Sequence, residues 1–136
     1  GFELKSRLID YLRSAGYDCL DFGCDNLQSV DYPDFAVSVS QSVVKNQTDY
    51  GILICGSGIG MCITANKIRG IRAATCCNPE LASRARKHND ANILCLSSDF
   101  TDYTTAIEIT QNFIQTQFEG GRHQRRIDKI SEIESI

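Results

Sequence analysis

A short apolar run followed by three closely spaced glycines constrains the fold of this chain more than any other stretch. Residues 51–54 form a continuous apolar run bounded by turn-forming residues, which predicts a buried parallel strand. From Met61 onward, apolar residues recur at the spacing of one helix face. Gly56, Gly58 and Gly60 separate the two patterns, so the stretch predicts a strand that turns tightly into a helix.

The rest of the chain continues this alternation. Strand patterns occupy 17–22, 51–54, 71–75 and 92–96, a polar loop occupies 23–31, and helical patterns occupy 1–14, 33–45, 61–67, 79–88, 103–117 and 122–136. This order predicts one α/β domain over residues 1–136, a three-layer, doubly wound (Rossmann-like) parallel sheet with helices on both faces. Such a domain normally begins with a strand, so we expect a first strand on the N-terminal side of Gly1. The last helix, about 122–135, has a thin apolar stripe and a basic start, which predicts a contact with another subunit.

Composition narrows the class of protein. A length of 136 residues suits one domain, and a net charge of −3 gives no reason to expect a nucleic-acid partner. The longest apolar run is too short to cross a bilayer and no leader pattern opens the sequence, so a cytoplasmic protein without a membrane partner is expected. The seven cysteines contain no Cys-x-x-Cys pair and only two histidines are present, so reduced thiols are favoured over a zinc site.

The glycine turn also suggests chemistry. Backbone N–H groups at the start of a helix lack partners within it and attract anions, and they favour the thiolate form of a nearby cysteine such as Cys55. The turn is not a nucleotide-hydrolase phosphate loop, because no Lys-Ser or Lys-Thr pair follows the glycines. It is not a dinucleotide fingerprint either, because the third glycine would have to replace Met61. On the turn alone, an equally good interpretation is a structural turn with Cys55 as a small core residue.

Six short motifs occur together along the chain. They are Asp31-Tyr32-Pro33, Cys55-Gly-Ser-Gly-Ile-Gly60, Ala65-Asn66-Lys67, Gly70-Ile-Arg-Ala73, Arg86-Lys-His-Asn-Asp-Ala-Asn92 and Glu119-Gly-Gly-Arg-His-Gln124. In this combination they resemble the sugar-phosphate isomerase family of type B ribose-5-phosphate isomerase and galactose-6-phosphate isomerase, with the former more similar. The resemblance implies an aldose–ketose isomerase that interconverts D-ribose 5-phosphate and D-ribulose 5-phosphate through an enediolate, without a metal or an organic cofactor.

The resemblance assigns Cys55 as the catalytic base and Ser57 as a catalytic residue that joins the surrounding amides in an oxyanion hole. His88 matches the histidine that opens the sugar ring. The residues implied to bind substrate are Tyr32, Gly56, Gly58, Ile59, Gly60, Asn89, Arg122 and Arg126. The two arginines match residues that reach the phosphate from the partner subunit of a homodimer, with a tetramer as the alternative. Without the resemblance, His88 fits equally well as a helix-end side chain, and the arginines fit a solvated basic helix end.

Two features depart from the family pattern. The Asp-His pair that the family carries just before the position of Gly1 is not in this sequence, and Asp99 stands where the family usually has a phosphate-binding arginine. A carboxylate there would repel a phosphate group. The alternatives that stay open are a galactose-6-phosphate isomerase subunit, a phosphosugar-binding module without activity, and redox sensing through the cysteines.

Overall fold

The computed structural model describes residues 1–23 and 31–136, so most of the predicted loop at 23–31 lies outside the described residues. The elements are α1 (Phe2–Ser14), α2 (Tyr32–Val44), β1 (Gly51–Cys55), α3 (Ile59–Ala65), β2 (Ala73–Thr75), α4 (Pro79–Asn89), β3 (Ile93–Ser97), α5 (Tyr103–Gln115) and α6 (Arg122–Ile133). Apart from the strand at 17–22, each predicted element is present with ends that differ by three residues or fewer. Within the described ranges, no helix combines the length and the apolar character needed to cross a bilayer.

The strands form one parallel sheet in the order β1-β3-β2. Gly51 pairs with Ile93 and Cys55 pairs with Ser97, so β1 and β3 begin and end side by side. All five residues of β3 are buried, because this central strand is covered on both faces. The predicted parallel sheet is confirmed.

Two hydrophobic cores lie on opposite faces of the sheet. Ile93 and Cys95 of β3 pack with side chains of α2 and α3, whereas Leu94 and Leu96 pack with side chains of α1, α4 and α5. This division follows from the strand period of two, which sends successive side chains to opposite faces. The predicted three-layer architecture is therefore confirmed.

The strand predicted at 17–22 is wrong, because these residues have no strand structure. Alternating apolar residues suit an extended chain, but a strand forms only when a neighbouring strand completes the hydrogen-bond ladder. Among the described residues, β1 pairs only with β3. The other edge of β1 and residues 17–22 instead line one groove of about 870 Å³ together with α1 and α2. The first strand expected before Gly1 stays a prediction.

Candidate active site

The glycine turn lies at the carboxyl edge of the sheet, where the parallel strands end. The backbone N–H of Gly58 donates to the sulfur of Cys55 at 3.2 Å, and Gly58 has a φ of +79°, which favours glycine. The Cys55 side chain is half-buried, so its sulfur is neither sealed in the core nor fully solvated. The N–H of Ile59 donates to the hydroxyl of Ser57 at 3.2 Å. Cys55 therefore combines partial exposure, which a base needs to reach a substrate, with a backbone donor against its sulfur.

Two other segments close around this turn. The Tyr32 ring packs so closely on Gly60 that a side chain at position 60 would overlap it, and Tyr32 is 41% exposed. On the other side, the N–H of Asp99 donates to the carbonyl of Gly56 at 3.0 Å, and the Asp99 carboxylate lies against the same glycine. Asp99, which replaces the arginine of the family pattern, therefore lies beside the glycine turn. We call the group Tyr32, Cys55, Gly56, Ser57, Gly58, Ile59 and Gly60 the carboxyl-edge cluster.

His88 and Asn89 lie at the opposite end of the sheet. They end α4, which runs back from the carboxyl edge to the amino edge, where the strands begin. The guanidinium of Arg72, just before β2, donates to the carbonyl of Asn89 at 3.0 Å. The Arg72 backbone N–H donates to the side chain of Asn92, just before β3, at 2.8 Å. These bonds fix the end of α4 beside the first residues of the strands.

Helix α6 runs along the same amino edge. Its start is tied to the end of α4, because the rings of His88 and His123 are stacked with centroids 4.4 Å apart. Its end is tied to the turn before β2, where the N–H of Gly70 donates to the Glu134 carboxylate at 3.0 Å. The exposed side chains of Arg122 and Arg126 therefore lie on this edge as well. We call His88, Asn89, Arg122 and Arg126 the amino-edge cluster.

The predicted site residues thus form two clusters rather than one. The five residues of β1 separate the two edges by about 13 Å, at about 3.3 Å per residue. The sequence contained a signal for this separation. Cys55 follows a predicted strand and His88 ends a predicted helix, and a helix between parallel strands runs opposite to them.

The amino edge holds a second feature that sequence reasoning gave little weight. Glu119 joins the two histidines, and its carboxylate lies 3.5 Å from Nε2 of His123. His88, Glu119 and His123 each have one donor atom within 4.8 Å of the other two. These three side chains could therefore hold a metal ion. The two rings are only 14° from parallel, so their nitrogens lie in separate planes, and one ring would have to turn before both could bind one ion.

Comparison with known proteins identifies the family. Residues 1–130 match the family model described as Ribose/Galactose Isomerase. The chain belongs to this family. It is 46% identical over 132 residues to a probable ribose-5-phosphate isomerase B of Mycoplasma genitalium, covering 96% of this chain and 87% of that protein. The resemblance seen in the sequence motifs is confirmed.

Solved structures of this family share the fold. A Clostridium thermocellum ribose-5-phosphate isomerase B superposes with a TM-score of 0.98 at 45% identity, covering 99% of this chain and 91% of that chain. The Mycoplasma genitalium enzyme, solved with bound ribulose-5-phosphate, superposes with a TM-score of 0.95 at 44% identity, covering 99% of this chain and 90% of that chain. The overall fold of this family is therefore the fold of this chain.

Proposed function

We propose that this protein is an aldose–ketose isomerase that interconverts D-ribose 5-phosphate and D-ribulose 5-phosphate. The relatives named ribose-5-phosphate isomerase B and the related structure with bound ribulose-5-phosphate support this substrate. The observation that carries the proposal is the half-buried Cys55 thiol, whose sulfur accepts the Gly58 N–H at the turn. A base held beside backbone donors is what proton transfer next to a carbonyl requires.

The chemistry follows from this arrangement. The Cys55 thiolate takes the proton from C2 of the open-chain aldose, and the electrons of that bond form the C1–C2 double bond of an enediolate. The thiol then returns the proton to C1 while a proton moves from the C2 hydroxyl to the C1 oxygen, which leaves the ketone at C2. The Ser57 hydroxyl and the amides of the turn stabilise the negative charge on oxygen. Loss of one such donor typically raises the barrier by about 3 kcal/mol.

We also propose that each active site is shared between two subunits of a homodimer. Within one chain the carboxyl-edge cluster and the amino-edge cluster lie at opposite ends of the sheet, so one molecule cannot bring both to the same sugar. A partner subunit would supply His88 to open the ring, Asn89 to bind hydroxyls, and Arg122 with Arg126 to bind phosphate. Exposed Ile130 and Ile133 on α6 offer apolar surface for that contact.

The test of the reaction is hydrogen exchange by the Cys55→Ala variant. Without the thiolate, solvent deuterium should not enter the substrate at C1 or C2, while ribulose 5-phosphate should still bind. NMR measures the exchange and calorimetry measures the binding. Exchange close to that of the unmodified protein would reject Cys55 as the base.

A substrate comparison separates the remaining functions. Turnover of a six-carbon sugar phosphate in preference to ribose 5-phosphate would favour a galactose-6-phosphate isomerase; the family description names galactose as well as ribose. Binding of the pentose phosphate without any turnover by the unmodified protein would favour a binding module.

A further inference from the structure

The imidazole of His88 lies against a second, buried imidazole. The ring centroids of His88 and His123 are 4.4 Å apart and the ring planes differ by 14°, so the two rings contact face to face. His123 is only 7% exposed, whereas His88 is half-buried. A buried ring has few rotamers open to it, so His123 is the fixed member of this pair.

His123 is in turn held by the segment that precedes α6. The Glu119 carboxylate lies 3.5 Å from Nε2 of His123, and the Glu119 backbone N–H donates to the carbonyl of Lys87 at 3.1 Å. Gly120 and Gly121 have φ angles of +72° and +57°, which reverse the chain between the glutamate and the histidine. Glu119 is thus tied both to the last turn of α4 and to the His123 ring.

We propose that His123 is a positioning residue that holds the His88 imidazole in the orientation needed to open the sugar ring. This inference rests on the proposed function, in which His88 acts on the sugar bound by the partner subunit. Opening the ring breaks the C1–O4 bond, places a proton on O4 and removes one from the C1 hydroxyl. An imidazole that delivers the proton must point at O4, and a misplacement of about 1 Å can slow a reaction by about a hundredfold.

A positioning role in ring opening affects ribose 5-phosphate but not ribulose 5-phosphate, whereas a merely structural role affects both substrates. Ribose 5-phosphate closes through its C4 hydroxyl and must be opened before isomerisation. Ribulose 5-phosphate stays open, because its C5 oxygen carries the phosphate and cannot close a five-membered ring on C2. Deuterium exchange at C1 of ribulose 5-phosphate therefore needs the base but no ring opening.

The decisive experiment compares both measurements in the His123→Ala variant. We expect turnover of saturating ribose 5-phosphate to fall roughly ten- to a hundredfold. Exchange into ribulose 5-phosphate should stay within about twofold, because the phosphate site and the base are intact. His123→Phe keeps a flat ring against His88 and should recover most of the lost turnover. Equal impairment of the Phe and Ala variants would overturn the stacking argument.

A second set of variants tests whether His123 acts through His88. His88→Ala should also lose turnover of ribose 5-phosphate while keeping exchange into ribulose 5-phosphate. The double variant should turn over ribose 5-phosphate no more slowly than His88→Ala alone. An equal fall in turnover and exchange in His123→Ala, or a further loss in the double variant, would overturn the proposal. Normal turnover of ribose 5-phosphate by His88→Ala would instead reject the proposed role of His88. Lys129→Ala, an exposed change on α6, is the matched control and should alter neither measurement.

Discussion

Cys55 and Cys62 lie seven residues apart but differ in their surroundings. Cys55 accepts a backbone N–H at the glycine turn, whereas Cys62 lies inside α3 and contacts the thiol of Cys95. Cys76 and Cys95 are buried in the two cores. The cysteines of the described residues are free thiols, and Cys76 and Cys95 pack as small apolar side chains.

The thiol environments predict an order of reactivity. Contact with Cys95 lowers the pKa of Cys62 to about 6, and burial raises the pKa of Cys76 to about 11. Near pH 7.5 Cys62 is therefore above its pKa and ionised, while Cys76 is below its pKa and protonated. Iodoacetamide should modify Cys62 before Cys76, as peptide mass spectrometry can measure. Near pH 5 the modification of Cys62 should itself slow, because the falling pH protonates this thiol, while Cys76 remains slower still. Equal rates at pH 7.5 would contradict this order.

If Arg122 binds the substrate phosphate, its replacement should change KM but not the turnover number. A charge-assisted hydrogen bond contributes about 1.5 to 3 kcal/mol, so Arg122→Ala should raise KM about ten- to a hundredfold. The turnover number should change little, because the phosphate lies away from the reacting carbons. Steady-state kinetics with ribose 5-phosphate measure both constants, and Lys129→Ala serves as the control. A lower turnover number at unchanged KM would argue against phosphate binding.

At the scale of elements, the described helices α4 and α5 each begin with a side-chain cap. The Asn78 side chain accepts the N–H of Leu81 at 2.9 Å at the start of α4, and Asp102 accepts the N–H of Thr105 at 2.8 Å at the start of α5. Helix α3 begins instead at Gly58, which has no side chain to cap it. A Cβ on Gly58 would lie only 3.2 Å from the Leu96 backbone, so the turn that carries Cys55 leaves no room for the capping side chain that α4 and α5 have.

The cap on α4 can be tested by Asn78→Ala. Loss of the hydrogen bond to Leu81 should lower the free energy of unfolding by about 1 kcal/mol. Asn78→Asp keeps an acceptor and should stay close to the unmodified protein. Urea denaturation measures the difference, and an unchanged midpoint for the Ala variant would show that the cap does not stabilise α4.

Element patterns also show where sequence reasoning reaches its limit. The run at 51–54 and the glycines after it predicted a strand and a turn correctly, because both are set by neighbouring residues. The predicted strand at 71–75 begins only at Ala73, since Asn92 and Asp90 bind Arg72 just before it. The pattern at 17–22 did not become a strand, because no described strand pairs with it. Strand pairing depends on distant residues, which local periodicity does not report.

At the scale of the whole molecule, the two clusters lie at opposite edges of one sheet. Parallel strands with returning helices place strand ends at one edge and helix ends at the other. A site that needs both Cys55 and His88 is therefore incomplete in a single chain. In a symmetric homodimer, the carboxyl-edge cluster of each chain could lie opposite the amino-edge cluster of the other chain. Such a dimer would have two equal sites.

Subunit mixing tests this arrangement. Cys55→Ala and His88→Ala are each expected to turn over little ribose 5-phosphate alone, so activity in this test is measured with ribose 5-phosphate. After mixing in equal amounts, unfolding and refolding, half of the dimers are mixed and each should hold one intact site, so activity should return to about a quarter of the unmodified level. Pairing Cys55→Ala with Ser57→Ala should restore nothing beyond residual activity, because both changes damage the same cluster. Failure of the first pair to recover would reject the shared site.

The sequence alone determined the family, the parallel three-layer fold and the identity of the candidate base. These follow from local periodicity and from short motifs whose residue types carry the chemistry. The tertiary structure decided that Tyr32 covers Gly60, that Asp99 lies beside Gly56, and that His88 stacks on His123 far from Cys55. Such contacts join residues distant in sequence, and they depend on how elements pack and on which edge of the sheet each element reaches.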